Sequence, residues 1–271
     1  MLLIQHIESL DDPELIPYKT LRRTTEHENE GIFVAEGEKV VARLMESELR
    51  VVSLLATEKW YGVYQDRLES RPGTIKVFVG EKTLLSSIVG FHLHQGIMAV
   101  AMIPKFYGLE PMVHKLPRPL LFVAIDGMTN SENLGVIVRN CVAFGVQALI
   151  VGETSSSPYL RRAVRNSMGT VFKLPIVTTP NLAETIHELR SRYSIDVVAA
   201  HPRSEQSSMN SCSFAGDCCI VFGSEGFGIS ETVLAACAEH VAIPMMQGVD
   251  SLNVSSAAAV FLYEVMRRRK G

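Results

Sequence analysis

The sequence predicts an α/β protein, a mostly parallel, doubly wound sheet over its C-terminal part preceded by a small α/β module. Three observations carry this. Strand and helix patterns alternate from residue 119 onward, as in a sheet wound by crossover helices. A stretch with four prolines (Pro104, Pro111, Pro117, Pro119) and little apolar periodicity separates that region from what precedes it. The 271 residues exceed the roughly 100–200 of one compact domain. The expected organisation is a first domain over residues 1–105, a linker over 106–118 and a larger domain over 119–271.

Upstream, the apolar-acidic stretch from Phe33 to Glu46 reads as a helix, and Val51 to Ala56, Ile75 to Val79 and Gly96 to Ala101 read as strands. Downstream come a strand at Leu120 to Ile125, a helix near Leu134 to Phe144, a strand at Ala148 to Val151, a helix from Tyr159 and a strand at Phe172 to Ile176. A helix from Asn181 opens on the capping pattern Asn181-x-x-Glu184. Strands at Asp196 to Ala200 and Cys218 to Phe222, a helix at Ser230 to Ala238, a strand at His240 to Ile243 and a last helix after Asn253 complete the pattern. Ligands of such sheets bind beyond the carboxyl ends of the strands, so the loops that follow strands are where chemistry is sought.

Composition narrows the class. Hydrophobic residues make up 47% and charged residues 20%, far from the signature of disorder. The start MLLIQHIESLDD is too short and too acidic for a secretory signal, and the most apolar run, Pro119 to Ile125, is strand-sized rather than membrane-sized. Cys141, Cys212, Cys218, Cys219 and Cys237 form no CxxC pair and read as buried reduced thiols in a cytoplasmic setting; no metal site is expected. The net charge of −3 gives no global positive field, and residues 1–105 carry 12 Lys and Arg against 15 Asp and Glu, so any nucleic-acid contact has to be local. Basic clusters at Lys19/Arg22/Arg23, Arg161/Arg162/Arg165 and Arg267 to Lys270 read as solvated helix faces or tail.

Three loops could carry chemistry. The first, IDGMTNSENLGVIVRNCVAFG, is polar up to Asn133 and then helical, with Arg139 among Val136, Ile137, Val138 and Val142. A charge in an apolar helix is usually paired or functional. Six residues of helix turn about 600°, so Asn133 and Arg139 do not share a face, and Asn133 is expected to serve from the loop. The second, VFGSEGFGIS, has Gly223, Gly226 and Gly228 around Glu225. Its G-x-x-G-x-G spacing is not the dinucleotide fingerprint, and a carboxylate at its centre would repel a pyrophosphate, so a positively charged ligand or a hydroxyl fits better. The third, IPMMQGVDSLNVSSAAAVFLYE, ends a strand at Pro244 and places Ser251 and Asn253 at a helix start. Taken alone, Ser251 is a helix cap, and Ser255 to Ala259 are small residues suited to close helix packing.

Taken together, N-x5-R after the first downstream strand, F-G-S-E-G-F-G and I-P-M-x-Q-G-x-x-S-L-N-V-S-S-A-A-A resemble the SpoU-type tRNA/rRNA 2′-O-ribose methyltransferases of the SPOUT superfamily, over roughly residues 119–268. FVAEGEKVVARLMES and HQGIMAVA are similar to the L30e-like RNA-binding domain of many of these enzymes. Many relatives carry Asp-Pro before the first asparagine, where this chain has Ser131 and Glu132.

The resemblance implies a C-terminal trefoil knot, against the usual rule for chain connections. It implies S-adenosyl-L-methionine as cofactor, lined by Gly223, Ile243 and Leu252, and a homodimer paired through the knot. The partner is structured RNA, rRNA or tRNA with rRNA favoured, with no membrane and no DNA partner expected. Arg139 matches the family arginine proposed to assist loss of the 2′-hydroxyl proton, as a base or by binding the adjacent phosphate. Asn133, Glu225, Ser251 and Asn253 match the polar positions that orient Arg139, the ribose and the cofactor. Among rivals, a non-catalytic RNA-binding relative is opposed by retention of all these residues. A nicotinamide oxidoreductase is opposed by the missing G-x-G-x-x-G, and a serine hydrolase by the missing G-x-S-x-G, which leaves His201 as a core or surface histidine.

Overall fold

This computed structural model describes residues 1–21, 24–88, 96–105, 108–202 and 207–270. Arg22 and Arg23 of the first basic cluster, His94 and Gln95 of HQGIMAVA, and residues 106–107 of the expected linker lie outside them. The chain divides into two compact units, residues 1–105 with 159–172, and residues 106–158 with 173–271.

The first unit runs β1 (Leu2–His6), α1 (Ile16–Lys19), α2 (Thr24–Asn29), β2 (Ile32–Glu36), α3 (Glu38–Glu46), β3 (Val51–Ala56), α4 (Glu58–Glu69), β4 (Ile75–Val79), α5 (Lys82–Ile88) and β5 (Ile97–Met102). Among the described residues its sheet has the order β1-β4-β3-β5-β2, with β5 antiparallel to both β3 and β2. The helix expected over Phe33 to Glu46 is instead a strand and a helix. Ile32 to Glu36 are buried on both faces, and Gly37, at φ 90°, turns the chain before α3 begins. A buried strand lacks alternation, so its apolar run merges with the helix that follows. β1 carried no period-2 signal because it is an edge strand, exposed along most of its length.

Residues 159–172 belong to this unit. Tyr159 and Phe172 pack on Phe33 with ring centroids 5.2 and 5.3 Å away. Arg161 and Arg165 pair with the buried carboxylate of Glu36. The second basic cluster is thus partly an internal ion-pair network rather than a solvated face.

The second unit contains α6 (Leu109–Lys115), β6 (Leu121–Ile125), α7 (Ser131–Ala143) and β7 (Ala148–Val151). After α8 (Arg161–Asn166), which lies in the first unit, it continues with β8 (Ile176–Thr178), α9 (Leu182–Ser191), β9 (Asp196–Ala200), β10 (Ser207–Ser208), β11 (Cys218–Phe222), α10 (Glu231–Ala236), β12 (Glu239–Ala242) and α11 (Val254–Lys270). The sheet order is β10-β12-β9-β11-β6-β7-β8, parallel throughout the described pairs. The central strands β6 and β11 are buried along their whole length, which is why they read as continuous apolar runs. From β6 the chain winds outward through β7 and β8, then crosses to β9 on the other side, so the order reverses between β6 and β11.

Two expectations for this unit are corrected. The strand expected at Phe172 to Ile176 is a 3₁₀ turn over Thr170–Lys173 followed by β8, because Pro175 lacks an N–H and the ladder starts after it. The proline-rich linker contains α6, whose Val113 is buried in the core cluster with Leu120 and Tyr193. Pro111 is compatible with that helix because it lies in the first turn, where an N–H has no intrahelical partner. Asn181 does cap α9, accepting from Glu184 N–H at 3.1 Å.

The basic end of α11 is internal structure in part, through Arg268 and Arg269, while Arg267 and Lys270 are exposed. Arg267 and Arg268 pair with Glu264, whose carboxyl is held down at about 2 by these guanidinium hydrogen bonds. Arg269 donates to Phe214 O at 3.1 Å, Leu120 O at 2.8 Å and Gly216 O at 2.5 Å.

All five cysteines are free and buried. Burial pushes the thiols up, to about 11 for Cys212 and Cys218 and about 12 for Cys237. At pH 8 the thiolate fraction, which is the reactive form, is therefore suppressed. An aromatic disulfide reagent at pH 8 is expected to label the native protein far more slowly than a free thiol and to titrate all five cysteines once guanidinium unfolds it.

Candidate functional site

The loops after β6 and β11 leave the sheet at the point where strand order reverses, the place where open parallel sheets bind ligands. Asp126, the first residue beyond β6, joins them. Its N–H donates to Phe222 O at 2.9 Å, and its buried carboxylate accepts the Ser230 N–H at 2.7 Å, at the start of α10. Sequence reading missed Asp126, because an acid after a strand has no distinguishing local pattern.

The glycine loop is a tight antiparallel turn. Ser224 N–H donates to Gly228 O at 2.9 Å and Gly228 N–H to Ser224 O at 3.0 Å, with Gly228 at φ 72°. A Cβ at Gly223 would collide with the backbone of Gly228 and Ile229. Gly223 is therefore required by the chain folding back on itself. This loop carries Glu225 and, fully projecting, Phe227, which is 98% exposed.

Asn133 is not in a loop. Asn130 caps α7, accepting from Glu132 N–H at 2.9 Å and Asn133 N–H at 3.2 Å, so the helix begins at Ser131 and Asn133 lies in its first turn. Arg139 lies on the same helix, but on its solvent side. It is exposed and makes no hydrogen bond or ion pair among the described residues. Its apolar neighbours belong to the buried stripe of Leu134, Ile137, Val138 and Cys141, so its position does not arise from burial.

Asn253 brings the three segments together. Its Nδ2 donates to Asn133 Oδ1 at 3.2 Å and to Glu225 Oε1 at 2.5 Å. Its Oδ1 accepts the Ser255 N–H at 2.9 Å at the start of α11. The cap of that helix is thus Asn253, not Ser251, because Val254 already begins the helix and only Asn253 can reach the first free N–H groups. Asn140 Nδ2 donates to Ser255 O at 2.8 Å and ties α7 to α11.

Beside this cluster lies a cleft of about 590 Å³. Gly223, Ile243 and Leu252 line it together with Glu225, Ser251 and Asn253; Asn133 and Arg139 lie outside its lining. Phe222 and Phe261 form part of its wall, edge to face with ring centroids 5.8 Å apart. His201, immediately after β9, also lines the cleft, and its position at the end of a parallel strand is the signal that could have found it. No lysine or arginine lines the cleft among the described residues, whereas Glu225 and Asp250 do. No group of three or more His, Cys, Asp or Glu among the described residues could hold a metal ion, and no helix there is long and apolar enough to cross a membrane.

A doubly wound parallel domain with an acidic and apolar cleft at its switch point, walled by the loops that follow its strands, defines a ligand-binding α/β domain. The particular kind follows from comparison with known proteins. The SpoU rRNA methylase family model matches residues 120–263, and the chain belongs to that family of methyltransferases.

An uncharacterized tRNA/rRNA methyltransferase of Mycobacterium bovis is 29% identical over 277 aligned residues, covering 99% of this chain and 93% of that protein. The 23S rRNA (guanosine-2′-O-)-methyltransferase of Pasteurella multocida is 33% identical over 202 residues, covering 73% of this chain and 81% of that enzyme. Among solved structures, the SpoU methyltransferase AviRb of Streptomyces viridochromogenes superposes with a TM-score of 0.82 at 25% identity, covering 96% of this chain and 98% of that one. The same enzyme has also been solved in complex with the cofactor AdoMet.

The collision at Gly223 gives a direct test of the glycine loop. Gly223→Ala is expected to cost about 2–4 kcal/mol in urea unfolding. Gly226→Ala, whose Cβ meets nothing within 4 Å, is expected to stay within about 0.5 kcal/mol of the wild type.

Proposed function

We propose that this protein transfers a methyl group from S-adenosyl-L-methionine to a ribose 2′-hydroxyl of structured RNA, with ribosomal RNA as the substrate. The observation that carries the reading is the Asn253 carboxamide bridging Asn133 and Glu225, which draws the three motif-bearing segments into one cluster beside the cleft. The rRNA preference is supported by the guanosine-2′-O activity on 23S rRNA in the name of the Pasteurella multocida relative.

The cleft suits the cofactor on its own chemistry. Its volume is in the usual range for a small-ligand site, and its walls combine apolar Phe222, Ile243, Leu252 and Phe261 with the carboxylates of Glu225 and Asp250. Such a lining accepts a nucleoside carrying a positive sulfonium and repels a phosphate. When bound, S-adenosyl-L-methionine supplies an electrophilic methyl group.

Gly223, Ile243 and Leu252 shape the wall of the cofactor cleft, and Asn133, Glu225, Ser251 and Asn253 orient the ribose beside it. Arg139 binds the phosphate next to the reacting hydroxyl. A guanidinium stays protonated at neutral pH, so its contribution is electrostatic, favouring the ionised 2′-oxygen rather than removing its proton. Exposure without an internal partner is what such a role requires. On this reading the first unit is an L30e-like RNA-binding domain, the chain beyond β12 is threaded as a trefoil knot, and two copies pair through it in the cytoplasm. These follow from the motif resemblance.

The test is transfer of labelled methyl groups to rRNA and tRNA isolated from cells lacking the protein, with the modified nucleotide mapped. Label is expected at a ribose 2′-oxygen of rRNA; label confined to tRNA would overturn the preference, and label on a base would overturn the reaction. Arg139→Ala is expected to lower transfer by at least about 100-fold, with cofactor affinity within about twofold of wild type, and transfer at the wild-type rate would remove Arg139 from the mechanism.

A further inference from the structure

Asn253 holds more partners than a helix cap requires. Its Oδ1 accepts from the Ser255 hydroxyl at 2.6 Å, the Ser255 N–H at 2.9 Å and the Ser256 N–H at 3.4 Å. A carboxamide turned over would set its own NH2 against the two backbone N–H groups, so its orientation is dictated by the start of α11, while the Ser255 hydroxyl makes the shortest contact to the oxygen so presented. Both N–H groups of Nδ2 are thereby aimed at Asn133 Oδ1 and Glu225 Oε1.

The polarity then passes one step further. Asn133, accepting through Oδ1, turns its own Nδ2 away from Asn253, and that NH2 has no acceptor among the described residues. Glu225 uses Oε1 as an acceptor and keeps Oε2 available. Ser255 is buried and hydrogen-bonds to neither Asn133 nor Glu225; its carbonyl is held by Asn140 Nδ2 at 2.8 Å. Asn133 and Asn140 are seven residues apart, about two turns, so both lie on the face of α7 that meets α11.

We propose that Ser255 is a positioning residue of the transfer site. Its hydroxyl, the shortest contact to Asn253 Oδ1, holds that carboxamide in place, and with it the Asn133 NH2 and the free Oε2 of Glu225 that face the ribose. The proposal rests on the transfer reading above and adds to it the contact that holds the ribose-facing groups in place. Ser255→Ala keeps both backbone donors to Asn253 Oδ1, so the helix cap and the amide's orientation survive, but it removes the shortest bond that holds the amide in place.

The experiment has two arms. In steady-state transfer to rRNA, Ser255→Ala is expected to lower kcat about tenfold, the equivalent of one net hydrogen bond of roughly 1.4 kcal/mol, with KM for the cofactor within about twofold and with activity restored in Ser255→Thr. Asn253→Asp keeps the cap but sets a second carboxylate oxygen against Glu225. Like charges there raise the pair's apparent pKa, so its kcat rises as pH falls, unlike that of the wild type. A kcat for Ser255→Ala within twofold of wild type, or a pH profile for Asn253→Asp parallel to wild type, overturns the proposal.

The second arm needs no substrate. In 15N-labelled protein, the Asn253 Nδ2 protons, identified by their loss in Asn253→Asp, are expected to exchange with water about tenfold faster in Ser255→Ala. Unchanged exchange overturns the assignment of Ser255. If the wild-type protein methylates no RNA, the exchange arm still decides the role of Ser255, while only the transfer reading falls.

Discussion

The carboxamide of Asn253 joins groups 120 and 28 residues away in the chain, Asn133 and Glu225, and it does so from the cap of α11. Each of these bonds is near the surface, where a net hydrogen bond contributes about 1 kcal/mol. They select a geometry more than they hold the fold together. The stiffness on which they depend is set beneath them, in the backbone contact at Gly223, the ladder across Ser224 and Gly228, and the buried Asp126 carboxylate at the start of α10.

Charge is distributed so that most arginines described here are occupied. Arg161 and Arg165 are taken by Glu36, Arg268 and Arg269 by carbonyls around the C-terminal helix, and Arg71 by the carbonyls of Met45, Ser47 and Leu49. Arg139, like Arg50 and Arg67, is exposed without such a partner among the described residues. With a net charge of −3, RNA binding of the proposed kind depends on local cations rather than on a field around the whole molecule. The cleft itself carries carboxylates and no lysine or arginine among the described residues, which separates a place for a cationic ligand from a place for a phosphate.

Much of this was legible in the chain. Strands β6, β7 and β11 stand where short apolar runs bounded by turn residues place them, because a parallel strand buried on both faces has to be apolar throughout. The three motif loops follow strands, as their polar residues and glycines after apolar runs indicate. Where the reading failed, a neighbour in space had overridden a local signal. Phe33 to Glu36 looked helical until buried as a strand, Pro111 looked like a linker residue until seated in a first turn, and Arg139 looked buried because a helix shows its period only when its packed face is known.

By itself, then, the sequence determined the chemistry available: which polar groups exist, that they fall after strands of a parallel sheet, and that no nucleotide-phosphate loop is present. Only the tertiary structure decided how those groups act on one another. That Asn253 rather than Ser251 caps α11, that its Nδ2 faces Asn133 and Glu225, and that Ser255, Asn140 and Asp126 support the cluster are consequences of contacts between residues 2 to 120 positions apart. Hydrogen-bond direction depends on the distance and orientation of such partners. No local pattern of residues encodes either.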